Sequence, residues 1–179
     1  MVLLRDMRES DIGDYVRWFT SETEWMKTDA PWETAETTPD EELRSWTAYY
    51  GSVRELPKDA VRRKFEIEWD GKHVGWVSRY TDLEYMENPD LAPAVGIDIP
   101  EPACRGLGIG TEALGLFIRY LKDSGFPYVF TQTWSGNRAM LRVAEKLGFV
   151  PVCVMPDHRT VGGRTYDAVT LKLAWHTPA

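Results

Sequence analysis

Along the first sixty residues the apolar positions group into short clusters rather than long runs. Leu3 and Leu4 predict a brief strand at Leu3–Arg5. Tyr15, Val16, Trp18 and Phe19 then form the apolar side of a helix that Ser10 or Asp11 can cap. The stretch from Ser21 to Asp40, acidic and punctuated by Trp25, Pro31 and Trp32, reads as a loop with at most one helical turn. Pro39-Asp40-Glu41-Glu42 suits a first helical turn, because proline is tolerated there and acids complement the helix dipole. That helix is predicted to run through Trp46, Tyr49 and Tyr50 to about Arg54.

From Arg63 the period becomes two. Phe65, Ile67 and Trp69 alternate with Lys64, Glu66 and Glu68, which predicts a half-buried strand. Asp70-Gly71 marks a tight hairpin, since both central positions of a type I′ turn need positive φ. Val74, Trp76 and Ser78 lie on the return strand, and Ala94–Ile99 forms another, ended by Pro100 and Pro102. Ala113, Leu114, Phe117, Ile118 and Leu121 give a helix from about Gly110 to Ser124, closed by Gly125. A strand at Tyr128–Trp134, a helix at Asn137–Leu147 stopped by Gly148, and strands at about Val150–Met155 and Thr165–Ala174 complete the pattern. In the last strand the alternation changes phase between Ala168 and Val169. The fold class is mixed α/β, with a mostly antiparallel central sheet flanked by helices.

At 179 residues, without an internal repeat or a Gly/Ser-rich linker, the chain is expected to be a single domain, 1–179. No apolar run approaches the ~20 residues of a bilayer span, and the first residues are too polar for a signal peptide. Cys104 and Cys153 show no scaffold or C-x-x-C spacing, so a reduced, cytoplasmic setting is the expectation. Of the net charge of −7, all lies in residues 1–60, which hold 7 Lys/Arg against 14 Asp/Glu. No basic stripe exists for a nucleic acid. An acidic first third suits a cationic partner, or simply a well-solvated surface.

Arg105-Gly106-Leu107-Gly108-Ile109-Gly110-Thr111 carries the most chemical information. It joins a strand to the start of an amphipathic helix, where glycines let backbone N–H groups approach an anion and the helix adds unpaired donors. A P-loop would need Gly-Lys-Ser/Thr, but Thr111-Glu112 follow Gly110. A dinucleotide fingerprint starting at Gly106 would need glycine at position 111, and the next strand ends without an acid. What remains is R-x-x-G-x-G at Arg105, Gly108 and Gly110. With it come Trp134-Ser135-Gly136-Asn137 and Val143-Ala144-Glu145-Lys146-Leu147-Gly148-Phe149.

In these two motifs the sequence resembles the GNAT N-acetyltransferase superfamily, over residues 92–155 above all and with a bias to the ribosomal-protein-alanine acetyltransferase branch. The resemblance implies an acetyl-CoA-binding core at 92–155 and an acidic, helical, substrate-side segment at 1–60. It implies that Arg105, Gly106, Leu107, Gly108, Ile109, Gly110 and Thr111 bind the CoA pyrophosphate, chiefly through backbone N–H groups. The backbone of Ile97, Asp98 and Ile99 would pair with the pantetheine arm, and Asn137 would order the cofactor beside it. It further implies that Ala94–Ile99 and Tyr128–Trp134 splay apart to give that arm a slot. The implied reaction is direct attack of a primary amine on the thioester. The acceptor would be a small cationic metabolite or antibiotic, or a protein N-terminus, with no metal involved.

Such a reaction needs a base for the ammonium and a proton for the departing thiolate. Asp98 is the first choice as base, with Glu66 and Glu68 behind it. Many relatives place a tyrosine acid where this chain has Ala144, so the acid is missing, and Tyr120, Tyr128 and Tyr166 substitute by residue type only. That gap keeps a second reading open, a CoA-binding sensor or interaction module without turnover. Trp25 and Trp32, with Trp46 and Glu66, are candidates for a substrate groove, core packing being the rival. Cys104 beside Arg105 suggests a thiol with a lowered pKa. His73, His158 and His176 show no metal-ligand spacing. The edge formed by Val150–Ala174 offers a possible homodimer contact.

Overall fold

Asp70 and Gly71 adopt φ of +52° and +75° in the computed structural model, which describes residues 1–33 and 36–175. Both central turn positions thus have the predicted sign, and they fold β2 (Lys64–Trp69) back onto β3 (Lys72–Tyr80). With β1 (Val2–Arg5), β4 (Ala94–Asp98), β5 (Tyr128–Trp134), β6 (Val150–Val161) and β7 (Arg164–Ala174) they make one seven-stranded sheet, ordered β1-β2-β3-β4-β5-β7-β6. All pairings are antiparallel except β4 with β5.

The alternation along β2 and β3 sorts side chains to two faces. Ile67, Val77 and Val95 face α4 (Ile109–Asp123), whose Ala113, Leu114, Phe117 and Leu121 are all fully buried. On the same side α5 (Arg138–Leu147) contributes Met140 and Ala144. The other face receives α1 (Ile12–Thr20), the short α2 (Met26–Asp29) and α3 (Pro39–Arg54). There Tyr15, Trp18, Trp25 and Trp76 form a second, aromatic core, with Tyr15 stacked on Trp46 at 3.7 Å between ring centres. Thr38 caps α3 through a reciprocal box with Glu41.

Three sequence expectations change. The stretch from Ser21 to Asp40 holds more than one helical turn, a 3₁₀ turn at Thr23–Trp25 running straight into α2. β6 runs past Met155 to Val161 and closes a long hairpin through Gly162 and Gly163. The phase change in β7 does not occur. Its register with β5 is unbroken, and Ala168, Val169, Thr170 and Leu171 are all buried. On one face Val169 and Leu171 join the core that α5 shares, and on the other Thr170 accepts from the side chain of Gln132 on β5, whose amide oxygen accepts from Glu84 N–H. At the outer edge Val150, Val152 and Val154 of β6 are exposed.

A charged clamp bolts α1 to the sheet. Arg5 donates two hydrogen bonds to Asp11, at 2.6 and 2.8 Å, and a third to Glu68. His73 lies buried between Asp14 (3.1 Å) and Glu66 (3.0 Å), and the Tyr15 hydroxyl donates to Glu66 at 2.5 Å. Burial alone would lower the His73 pKa, but the bonds to Asp14 and Glu66 and the nearby Asp11 raise it above 6.5. The folded protein therefore holds this proton more tightly than the unfolded chain does. The stabilisation is complete below about pH 6.5 and fades as pH climbs through the folded-state value. Urea unfolding of the wild type and of His73→Gln should show a stability gap that narrows from pH 6.5 upward. A gap that widens with pH contradicts the clamp.

Gly75 on β3 meets the end of β4. A Cβ there would sit 2.0 Å from the Asp98 carbonyl oxygen. Gly75→Ala must push β4 aside, with an expected loss of ~1–3 kcal/mol in unfolding free energy, as overpacked cores show. Unchanged urea stability would refute that contact.

Candidate active site

β4 and β5 pair at one place only, Ala94 with Phe130, supported by a hydrogen bond from Phe130 N–H to Pro93 O. Past the bond from the Thr131 hydroxyl to Val95 O (2.8 Å) the two strands diverge, as expected of the slot. A cavity of about 370 Å³ occupies this region, and its wall includes Ile97, Asp98 and Ile99 of β4 and Asn137, Met140 and Val143 at α5.

One end of the cavity is the glycine loop. Gly106 and Gly108 have φ of +76° and +85°, a conformation that side chains strain to adopt, and a Cβ at either would meet nothing within 4 Å. Their open side is therefore a cradle facing empty space. Gly108 caps α4, so the first N–H groups of that helix have no carbonyl within the helix and point toward the loop. Arg105, Arg142 and Lys146 also line this end. The Arg105 guanidinium turns back to hold the Ile99 carbonyl at 2.9 Å and the Pro100 carbonyl at 2.5 Å, bracing the loop from beneath. Gly110 and Thr111 line the cavity too. Leu107 is exposed outside it, and Ile109 is buried in the core against α4's own apolar side. Asn137 caps α5 by accepting a hydrogen bond from Met140 N–H (3.0 Å) while standing in the cavity wall. The donors and the cationic side chains at this end fit a pyrophosphate, and the parted strands fit an extended arm.

The opposite end is acidic. Asp98 and Asp29 both line it, with Trp25 and Thr28. Asp98 faces the cavity but is otherwise packed in protein. That burial, and then the nearby Asp29, push its carboxyl well above the usual range, against the opposing pull of Lys64 and Trp76. Asp29 is raised as well, by the protein around it and by Glu33. Trp134, the last residue of β5, fixes this wall by donating its indole N–H to the carbonyls of Asp29 (2.9 Å) and Thr28 (3.2 Å). Trp25 is held in turn by its indole N–H on Trp18 O at 3.0 Å.

Several candidates from the sequence have other places. Glu66 is buried under α1, committed to Tyr15 and His73, and does not line the cavity. Glu68 binds Arg5 and Arg8. Trp32 packs edge-on against Trp134 beneath the Arg159 guanidinium, and Trp46 packs on Tyr15, so only Trp25 of the three tryptophans reaches the cavity. The Cys104 thiol is shifted up, not down, because burial and Glu101 outweigh Lys72 while Arg105 is turned to its carbonyls. Ala144 is buried in the core one helical turn from the cavity-lining Met140 and does not itself line the cavity. The three tyrosines are engaged elsewhere: Tyr120 accepts from Arg62 N–H, Tyr128 donates to Asp90, and Tyr166 packs on Trp134. Asp11, Asp14 and His73 cluster closely enough for a cation, but Arg5 already fills the Asp11 carboxylate. His176 lies outside the described residues. Asp29 escaped the sequence reading, since nothing local separates it from the other acids of an acidic loop.

Comparison with known proteins finds the same fold. A putative acetyltransferase of Salmonella typhimurium, solved with acetyl-CoA, superposes with a TM-score of 0.72 at 20% identity, covering 100% of this chain and 96% of that one. The ribosomal-protein-alanine N-acetyltransferase of Brucella melitensis superposes at 0.70 with 17% identity, over 97% of this chain and 99% of that one. At such identities the likeness is one of fold. The mycothiol acetyltransferase of Thermomonospora curvata is 31% identical over 90 residues, half of this chain but only 28% of that enzyme's length. The acetyltransferase (GNAT) domain matches residues 1–150, and the chain therefore belongs to the GNAT acetyltransferase family.

Proposed function

We propose that the protein is an acetyl-CoA-dependent N-acetyltransferase acting on a primary amine that carries a positive charge. The observation behind this reading is the polarity of the cavity: backbone donors with Arg105, Arg142 and Lys146 at one end, and Asp29 with Asp98 at the other. An anion belongs at the first and a cation at the second. Acetyl-CoA supplies the acetyl thioester. Gly106, Gly108 and the start of α4 hold its pyrophosphate, and the parted edge of β4 pairs with its arm.

Asp98 then acts as the base. Burial and Asp29 favour its neutral form, while an ammonium arriving between the two carboxylates favours their charged forms. The proton taken from the amine resides on this pair and passes to the leaving thiolate. A carboxyl pair of this kind removes the need for the tyrosine that Ala144 replaces. The acidic wall supports a cationic acceptor and is compatible with a small metabolite or antibiotic as well as a protein N-terminus.

The second reading, a CoA-binding module without turnover, draws on the engaged tyrosines and the buried Ala144. Release of free thiol from acetyl-CoA in the presence of a panel of primary amines separates the two, and no release with any amine favours the module. Calorimetry should give micromolar acetyl-CoA binding, abolished in Gly108→Trp. Absence of binding by the wild type removes the cofactor assignment. Asp98→Asn should keep that binding while lowering kcat by ~10²–10⁴-fold, the ordinary span for loss of a general base. A variant with wild-type kcat removes Asp98 from the chemistry.

A further inference from the structure

The carboxylates at the acceptor end of the cavity differ from those beneath α1 in lacking a cation. Arg5 pairs with Asp11 and Glu68, Arg17 with Asp14 and Glu101, and Arg62 with Asp6. Among the described residues Asp98, Asp29 and Glu33 form no ion pair. These three follow one another outward. Asp98, at the end of β4, is half-buried in the cavity wall, while Asp29, at the end of α2, is exposed in that wall, which sets it at the mouth. Glu33 stands outside the wall, exposed, in the turn that its N–H closes on the Ala30 carbonyl at 2.8 Å. Each acts on the next. The surrounding protein and then Glu33 push the Asp29 carboxyl up, and burial and then Asp29 do the same to Asp98.

Lys64 is the one cation that draws Asp98 toward its charged form, and it does so from outside the cavity. Its Nζ is held among the rings of Tyr15, Trp46 and Trp76, at 4.1, 4.4 and 4.8 Å from their centres, and its charge is shared with Glu66 and Asp11. No such cation acts on Asp29 among the described residues. Two carboxylates that share a site without a cation oppose each other's ionisation. One ammonium between them offsets one negative charge. The reaction then removes even that, since the amine must surrender a proton before its lone pair can attack. Asp29 is left charged beside a protonated Asp98 and a neutral amine. A second ammonium on the same molecule keeps Asp29 and Glu33 accompanied throughout and holds the first nitrogen at Asp98.

We propose that the acceptor is a small diamine, bound with one nitrogen at Asp98 and the other at Asp29 and Glu33, and acetylated at the inner nitrogen alone. The inference rests on the reading of the cavity as an acetyl-CoA site with an amine at its acidic end. Asp98 takes a proton from the inner ammonium, and the freed lone pair attacks the acetyl carbonyl carbon. The C–N bond forms, and the C–S bond breaks with its electron pair going to sulfur. Of the two protons that leave the nitrogen, one ends on the thiolate and one in water. One acetyl-CoA and one doubly charged diamine thus give one CoA thiol, one singly charged acetyl-diamine and one proton. That product carries a single ammonium and cannot span the carboxylates, so it leaves without a second acetyl group.

The test needs no turnover. The full chain is saturated with CoA and titrated by calorimetry with diaminobutane, which has an amine at each end, and with butylamine, its counterpart of one nitrogen. Diaminobutane should bind about ten- to a hundredfold tighter, the ordinary worth of one charge-assisted hydrogen bond. In Asp29→Asn, with CoA binding as the check that the chain is folded, that advantage should shrink to under about threefold. Glu33→Gln, at an exposed position, should lose about two- to threefold of it, as screened surface charges do. With acetyl-CoA in place of CoA, mass spectrometry should find one acetyl group per diaminobutane. Equal affinity for the two amines, or none for either, overturns the proposal while leaving the cofactor site intact. So does an alanyl peptide without lysine that binds as tightly as the diamine, a full advantage retained in Asp29→Asn, or diacetylated diaminobutane as the main product. Absence of CoA binding by the wild type removes the cofactor reading and the diamine together.

Discussion

The single pairing between β4 and β5 is the constraint on which the rest of this molecule depends. A parallel pair inside a sheet would ordinarily satisfy its backbone along its whole length, because buried N–H and C=O groups without partners are costly. Here the ladder stops after Ala94 and Phe130, and the strands part before Asp98. The cavity, the reach of the glycine loop toward β4 and the place of Asp98 in the cavity wall all follow from that parting. The sheet survives it because β3 holds β4 through five residue pairs and β7 holds β5 through seven, so each side is anchored outward.

The two layers of helices have different tasks. α4 and α5 fill one face with aliphatic side chains and bring a glycine-capped helix start to the mouth of the slot. On the other face α1, α2 and α3 build an aromatic layer threaded by ions, from Arg5 and Asp11 through His73 to Glu66. Charges buried this deeply contribute little net stability when compared with apolar replacements, yet breaking one partner is costly, so they fix where α1 sits. Through Trp18, Trp25 and Trp76 that placement is passed on to the acidic end of the cavity.

Much of this was legible in the sequence where local rules carry the signal. Asp70-Gly71, Gly125 and Gly148 mark turns because their φ values require it, and the periods of β2 and α4 report which side is buried. The glycine loop was legible for the same reason, its chemistry being in the backbone. Side chains whose roles depend on distant partners were not. Glu66 sits on a strand face that sequence reads as polar and open, but α1 comes down over it, and His73 with Tyr15 uses both of its roles up. Asp29 became visible only when Trp134, more than a hundred residues away, drew α2 over the cavity. Lys64 looks like any alternating surface lysine until four rings from three elements close around it.

The indole of Trp134 terminates the strand that forms one side of the slot, and it also grips the two carbonyls at the end of α2. Slot width and carboxylate position are therefore geared to each other. One side chain thus joins the parted edge of the sheet to the carboxylate wall.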